Sequence, residues 1–95
     1  MKVDYSRRFK KQAMRLDSVT KDLLSRSIQE SKKASSVTEI SNCKKLSGYK
    51  KAYRIRVADH RAIFVIEVDD ILFFEFIVSR GEVYSKKYRE LLQGR

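Results

Sequence analysis

The apolar residues of this chain change period once, and that switch constrains the fold more than any other feature. Over Ser6–Leu16, Phe9, Ala13 and Leu16 recur at i, i+4 and i+7, with Arg7, Arg8, Lys10 and Lys11 around the rest of the turn. That spacing defines one apolar stripe on an amphipathic helix. A second helix opens at Ser18, a residue suited to capping, and carries Val19, Leu23, Leu24 and Ile28 to about Ala34, where Ser35-Ser36 weakens it. Beyond a polar, basic stretch, Val37–Lys51, with a Ser47-Gly48 turn signal, the period becomes two. Tyr53, Ile55 and Val57 share one strand face and Arg54 and Arg56 the other, because strand side chains alternate. Arg61–Val68 and Ile71–Val78 follow as apolar central strands separated by Asp69-Asp70. In the last of these, Leu72, Phe74, Phe76 and Val78 make the stronger core face, while Ile71, Phe73, Glu75 and Ile77 make one that is only partly covered.

Val3 and Tyr5 at period two predict a short opening strand over Lys2–Tyr5, and Glu82–Leu92 predicts a last helix with Tyr84, Tyr88, Leu91 and Leu92 on one side. The expected architecture is α+β, in the order β-α-α-β-β-β-α. An N-terminal strand and a helical hairpin pack on one face of an antiparallel sheet, with a C-terminal helix. Ninety-five residues are enough for one domain spanning the whole chain. The absence of proline fits long, uninterrupted elements. Cys43 stands alone, which excludes an internal disulfide or a cysteine-rich zinc site and suits a reducing compartment. Neither the polar Met1–Lys11 segment nor the short apolar runs read as a signal peptide or a membrane span, so a cytoplasmic protein that leaves membranes alone is expected.

Charge narrows function further. Lysine and arginine exceed aspartate and glutamate by ten, enough to collect polyanions. The most basic stretch, Lys44 to Arg61, holds Lys44, Lys45, Lys50, Lys51, Arg54, Arg56 and Arg61 against the acid Asp59. Arg54 and Arg56 lie about 7 Å apart on one strand face, close to the phosphate spacing of an extended nucleic-acid strand. Arg61 begins the neighbouring strand, and Arg80 ends the last one near Tyr84. The bland reading has these arginines pairing with Asp59, Glu67 and Glu75 on a solvated face. The functional reading is a basic surface for a phosphate backbone, to which Lys44, Lys45, Lys50 and Lys51 add binding charge.

Lys45-Leu46-Ser47-Gly48, Tyr53-Arg54-Ile55-Arg56-Val57, His60-Arg61-Ala62-Ile63-Phe64 and Ile77-Val78-Ser79-Arg80-Gly81-Glu82-Val83-Tyr84 occur in this order. The series resembles the RelE/ParE toxin superfamily, and the Glu82-Val83-Tyr84 ending resembles its RelE branch. The resemblance implies a toxin of a type II toxin–antitoxin system that acts as a ribosome-dependent mRNA endonuclease with neither metal nor cofactor. The alternatives are a ParE-like gyrase inhibitor and a catalytically inactive binding protein of the same fold. It further implies that Arg54, Arg56 and Arg61 face the scissile phosphate, that Arg80 stabilises the phosphorane, and that Tyr84 orients the nucleotide. His60, the sole histidine, is a candidate acid or base with a turn residue as its alternative, and Tyr84 is a candidate acid or a packing residue. Glu39 and Glu82 are further candidate bases. Two departures bear on proton transfer. Arginines stand at 54 and 56 where RelE has lysines, and Ser79 stands where several relatives have histidine. The implied partners are a small acidic antitoxin, the ribosome and mRNA, with operator DNA reached through the antitoxin.

Overall fold

A computed structural model describes residues 1–79 and 85–93 of the chain. The strand β1 (Val3–Tyr5) leads into helices α1 (Arg7–Met14) and α2 (Ser18–Lys33), and then come β2 (Cys43–Lys45), β3 (Ala52–Val57), β4 (His60–Ile66), β5 (Leu72–Ser79) and α3 (Lys86–Leu91). The five strands form one sheet in the order β1-β5-β4-β3-β2. Most pairings are antiparallel, but β1 runs parallel to β5, with Val3 opposite Leu72 and Tyr5 opposite Phe74. The wholly antiparallel sheet expected from the sequence is corrected here. Three alternating residues bury a face in either direction, so their pattern does not say which way the partner runs. The basic stretch also yields the edge strand β2, absent from the sequence reading because Cys-Lys-Lys carries no alternation.

Local chemistry explains most boundaries. Ser6 caps α1 by accepting from the Phe9 N–H at 2.9 Å, and Asp17 caps α2 by accepting from the Thr20 N–H at 2.7 Å. The cap of α2 is therefore Asp17, one residue before the expected Ser18. The buried face of α2 also differs from the expected one: Thr20, Leu24 and Ser31 are buried, whereas Val19 is 69% exposed and Leu23 38% exposed. Gly48 (φ 88°) takes the left-handed conformation in the turn before β3. Asp69 and Asp70, both at positive φ, make the β4–β5 connection, a conformation that aspartate tolerates better than most residues.

The register of β5 breaks at one place. Ile63 pairs with Phe76 and Phe64 with Phe74, so Glu75 is an extra residue, a β-bulge. Leu72 and Phe74 face the helical hairpin, but Phe76 and Val78 face α3. The four residues read as one core row are thus two half-rows on opposite faces. Phe73 and Ile77, expected on a partly covered face, are placed differently too: Phe73 packs beside the α3 cluster and Ile77 is buried with the hairpin core. The bulge is held by α1, whose Ser6 hydroxyl donates to the Glu75 carbonyl. Past the end of β1, the Gln12 side-chain oxygen accepts from the Ile77 N–H at 2.6 Å, so α1 satisfies the stretch of sheet edge that β1 is too short to reach.

Two cores result. Phe9, Leu24, Ile55, Phe64 and Phe74 lie between the hairpin and the sheet, with the Phe9 and Phe74 rings 5.2 Å apart. On the other face Leu46, Ala52, Ile63, Val65 and Phe76 lie under Tyr88 and Leu92, with the Phe76 and Tyr88 rings 4.5 Å apart.

Candidate nucleic-acid interface

The α3 face of the sheet is apolar over one half and basic over the other. Alternation along β3 puts Ala52, Arg54 and Arg56 on this side, and along β4 it puts Arg61, Ile63 and Val65 here. Reading across the strands, Lys44 stands directly opposite Arg54, and Arg56 directly opposite Arg61. Side chains so placed have Cβ atoms about 5 Å apart, and the two rows are separated by two residues of rise, about 7 Å. Four cations therefore occupy one corner of the face. Where β4 meets β5 the same two rows end in Phe76 and Val78, which are buried.

Like charges set directly across a ladder repel, and here two such pairs sit side by side. Neither Arg54 nor Arg56 makes an ion pair with an acid among the described residues. The bland reading, in which acids on the sheet neutralise them, thus finds no support for these two. The Arg56 N–H donates to the Asn42 carbonyl at 3.0 Å, which extends the pairing of β3 just beyond β2 and holds the Arg56 backbone. On the reverse side of the same strands Cys43 packs against the hairpin core. Burial pushes its thiol up to about 11, and the nearby Arg54 charge only partly opposes that, so Cys43 is an inert packing residue at neutral pH.

The other candidates are placed as follows. Lys45 pairs with Tyr53, so it lies on the opposite face from Lys44, and it is exposed there. Lys50 and Lys51 are exposed in the turn that enters β3. His60 is not brought together with the arginines, although it adjoins Arg61 in sequence. It pairs with Val57 and Ser79 on the hairpin side of the sheet, because neighbouring strand residues point to opposite faces. Its candidate role as acid or base beside Arg61 loses its geometric basis. Glu39 lies in a 3-10 turn after α2, where its carboxylate accepts from the Ser35 N–H. Arg80, Tyr84 and Glu82 lie outside the described residues. Sequence reasoning missed the contribution of β2, which sets Lys44 against Arg54. The signal available for it was the pair of turn-forming positions on either side, Asn42 (φ 59°) and Gly48.

A mixed five-stranded sheet with an N-terminal strand, a helical hairpin and a C-terminal helix is also the fold of solved RelE toxins. The crystal structure of the RelB–RelE complex from Methanococcus jannaschii superposes with a TM-score of 0.71 at 21% identity, covering 87% of this chain and 96% of that one. The isolated E. coli RelE toxin gives 0.67 at 21% identity over 96% and 98% of the two chains, and YafQ from E. coli strain BL21(DE3) gives 0.58 at 18% over 86% and 96%. No family model matches the sequence, and no curated sequence matches it.

Proposed function

We propose that this chain is the toxin of a toxin–antitoxin pair and that it cuts mRNA on the ribosome. The observation that carries the reading is the pair of like-charge rows, Lys44–Arg54 and Arg56–Arg61, on a RelE-type sheet. Basic side chains gathered in two adjacent rows offer a place for an anion, and Arg54 and Arg56 make no ion pair among the described residues. The spacing of the rows suits consecutive phosphates of a single strand.

In the proposed reaction the RNA 2′-oxygen attacks the adjacent 3′-phosphorus, and the bond from phosphorus to the 5′-oxygen breaks. The products are a 2′,3′-cyclic phosphate and a 5′-hydroxyl; a base takes the 2′-proton and an acid supplies one to the leaving oxygen. Arg54, Arg56 and Arg61 stabilise the dianionic phosphorane in this reading. Removal of one such preorganised donor costs about 10²–10³ in rate. An arginine does not exchange protons near neutral pH, so these residues supply charge and orientation while proton transfer falls to other groups. Arg80 as a fourth cation and Tyr84 as the group that orients the nucleotide are part of the proposal.

The partner proposed is an acidic antitoxin. Solved structures with this fold include complexes of RelE with RelB and of YafQ with DinJ, and the net charge of +10 favours an acidic binder. Expression without the antitoxin should arrest bacterial growth. On programmed ribosomes, in the presence of EDTA, the purified protein should give fragments with 5′-hydroxyl and cyclic phosphate ends. Arg80→Ala should abolish cleavage more completely than Lys50→Ala or Lys86→Ala. Unimpeded growth with folded protein accumulating would overturn the toxin reading, and DNA-damage signalling without RNA cleavage would replace it with gyrase inhibition.

A further inference from the structure

One carboxylate beside the arginine corner is not spent on an arginine. Glu30, in the last turn of α2, and Arg56 line the same recess between α2 and the β3–β4 turn, yet Glu30 makes no ion pair among the described residues. Both of its oxygens go to one residue instead: Oε1 accepts from the Ser41 N–H, and Oε2 accepts from the Ser41 hydroxyl at 3.1 Å. We infer that Glu30 is a positioning residue for Arg56, acting through Ser41 and Asn42, an inference that rests on the RNA-cleaving reading above.

The chain of contacts is short. Asn42 follows Ser41 and stands one place beyond the last ladder pair of β2 and β3, Cys43 opposite Ile55. Its carbonyl accepts from the Arg56 N–H at 3.0 Å. Asn42 lies at φ 59°, in the left-handed region, so the chain turns between the residue that α2 holds and the residue that holds β3. Burial does little to fix this segment. Between the buried Ile40 and Leu46 only Cys43 is even half-buried, and Ser41, Asn42, Lys44 and Lys45 are exposed. Polar contacts therefore set its path, and hydrogen bonds to an ionised carboxylate are the strong kind.

The anchor matters because of what stands on the strands it holds. Arg56 is opposite Arg61 and Lys44 opposite Arg54. Like charges across a ladder do not draw strands together, so the end of β3 gains from a tie to α2. Occupying the Glu30 oxygens with Ser41 also leaves the Arg56 guanidinium for a phosphate. A cation lowers the barrier when it is already in place, and a displacement of about 1 Å can cost 10²-fold in rate.

The test compares Glu30→Ala with Glu30→Gln in single-turnover cleavage on programmed ribosomes, beside binding of a 2′-deoxy oligonucleotide that cannot be cut. Glu30→Gln keeps an acceptor for the Ser41 N–H and a partner for its hydroxyl, so cleavage should stay close to wild type. Glu30→Ala should cut about 10²-fold more slowly while binding the deoxy strand as well as wild type or better, since a negative charge beside a polyanion site has been removed. A variant that was merely unfolded would lose both. On the Arg56→Ala background, Glu30→Ala should cost little more, because a residue that acts through Arg56 then has nothing to position. Hydrogen exchange at the Arg56 amide should speed up in Glu30→Ala and not in Glu30→Gln. Wild-type cleavage by Glu30→Ala, equal slowing by Glu30→Gln, or losses that add to those of Arg56→Ala would overturn the inference. A wild-type chain that binds RNA without cutting it would remove the nuclease reading, and the Arg56 amide then decides the tie: faster exchange in Glu30→Ala keeps it, and unchanged exchange overturns it.

Discussion

The two faces of the sheet are built from the same strands, yet they solve different problems. The hairpin face is closed. Sixteen-residue α2 and eight-residue α1 lie over Phe9, Phe64, Phe74 and Ile55, and the side chains of α1 even cover the edge of β5 at Glu75 and Ile77. On the other face, among the described residues, the six-residue α3 packs Tyr88 and Leu92 against Ile63, Val65 and Phe76. The other half of this face carries Lys44 and Arg56, which are exposed, and Arg54 and Arg61, which are half-buried. The difference teaches where the chain places stability and where it places charge. Burial on one face holds the strands firmly enough for like charges to stand across a ladder on the other.

That division is broken most directly by Phe74→Ala. Phe74 is fully buried at the centre of the hairpin-face aromatic cluster, and truncation should cost about 3–5 kcal/mol, read as a lower denaturant midpoint. RNA binding should fail only as far as unfolding demands. The complementary change is Arg54→Ala or Arg56→Ala. Each should lower cleavage by about 10²–10³, equivalent to roughly 3–4 kcal/mol of barrier, while the denaturant midpoint moves little or rises as the cross-strand repulsion is relieved. A large stability loss in either variant would mean that the arginines hold the fold. Binding to a non-cleavable single strand should carry a log–log salt slope of about −3 if the four cations of the corner each neutralise one phosphate.

A smaller effect tests the join between the faces. Ser6 caps α1 and also donates to the carbonyl of the bulge, so Ser6→Ala should cost about 1–2 kcal/mol. If the bulge sets which side chains of β5 face α3, hydrogen exchange should speed up at Phe76 and Val78 as well as in α1. The smallest effect is electrostatic. Its hydrogen bond from the Thr20 N–H holds the Asp17 carboxyl below the ordinary carboxylate range. A folded value below the unfolded one gives a contribution present above about pH 3.9 and lost as pH falls through the folded value. Asp17→Asn, which keeps an acceptor but does not titrate there, should flatten the acid limb of the stability profile slightly and leave neutral stability unchanged.

Sequence alone was enough for the helices, the three main strands and the shared face of Arg54 and Arg56, since each of these follows from a period of 3.6 or 2 within a few neighbouring residues. The resemblance to RelE and ParE toxins, drawn from four short segments in order, agrees with the fold. Everything decided by pairing lay beyond reach. The parallel docking of β1 on β5 and the placement of Lys44 opposite Arg54 depend on which strands become neighbours, which no local period encodes. The bulge at Glu75 turned one apparent row, Leu72 to Val78, into two half-rows, because a single extra residue reverses the face of every side chain beyond it. His60, read from the sequence as part of a turn, instead begins β4, so strand alternation points it and Arg61 to opposite sides of the sheet. Sequence supplied the charges, and cross-strand register decided which of them meet.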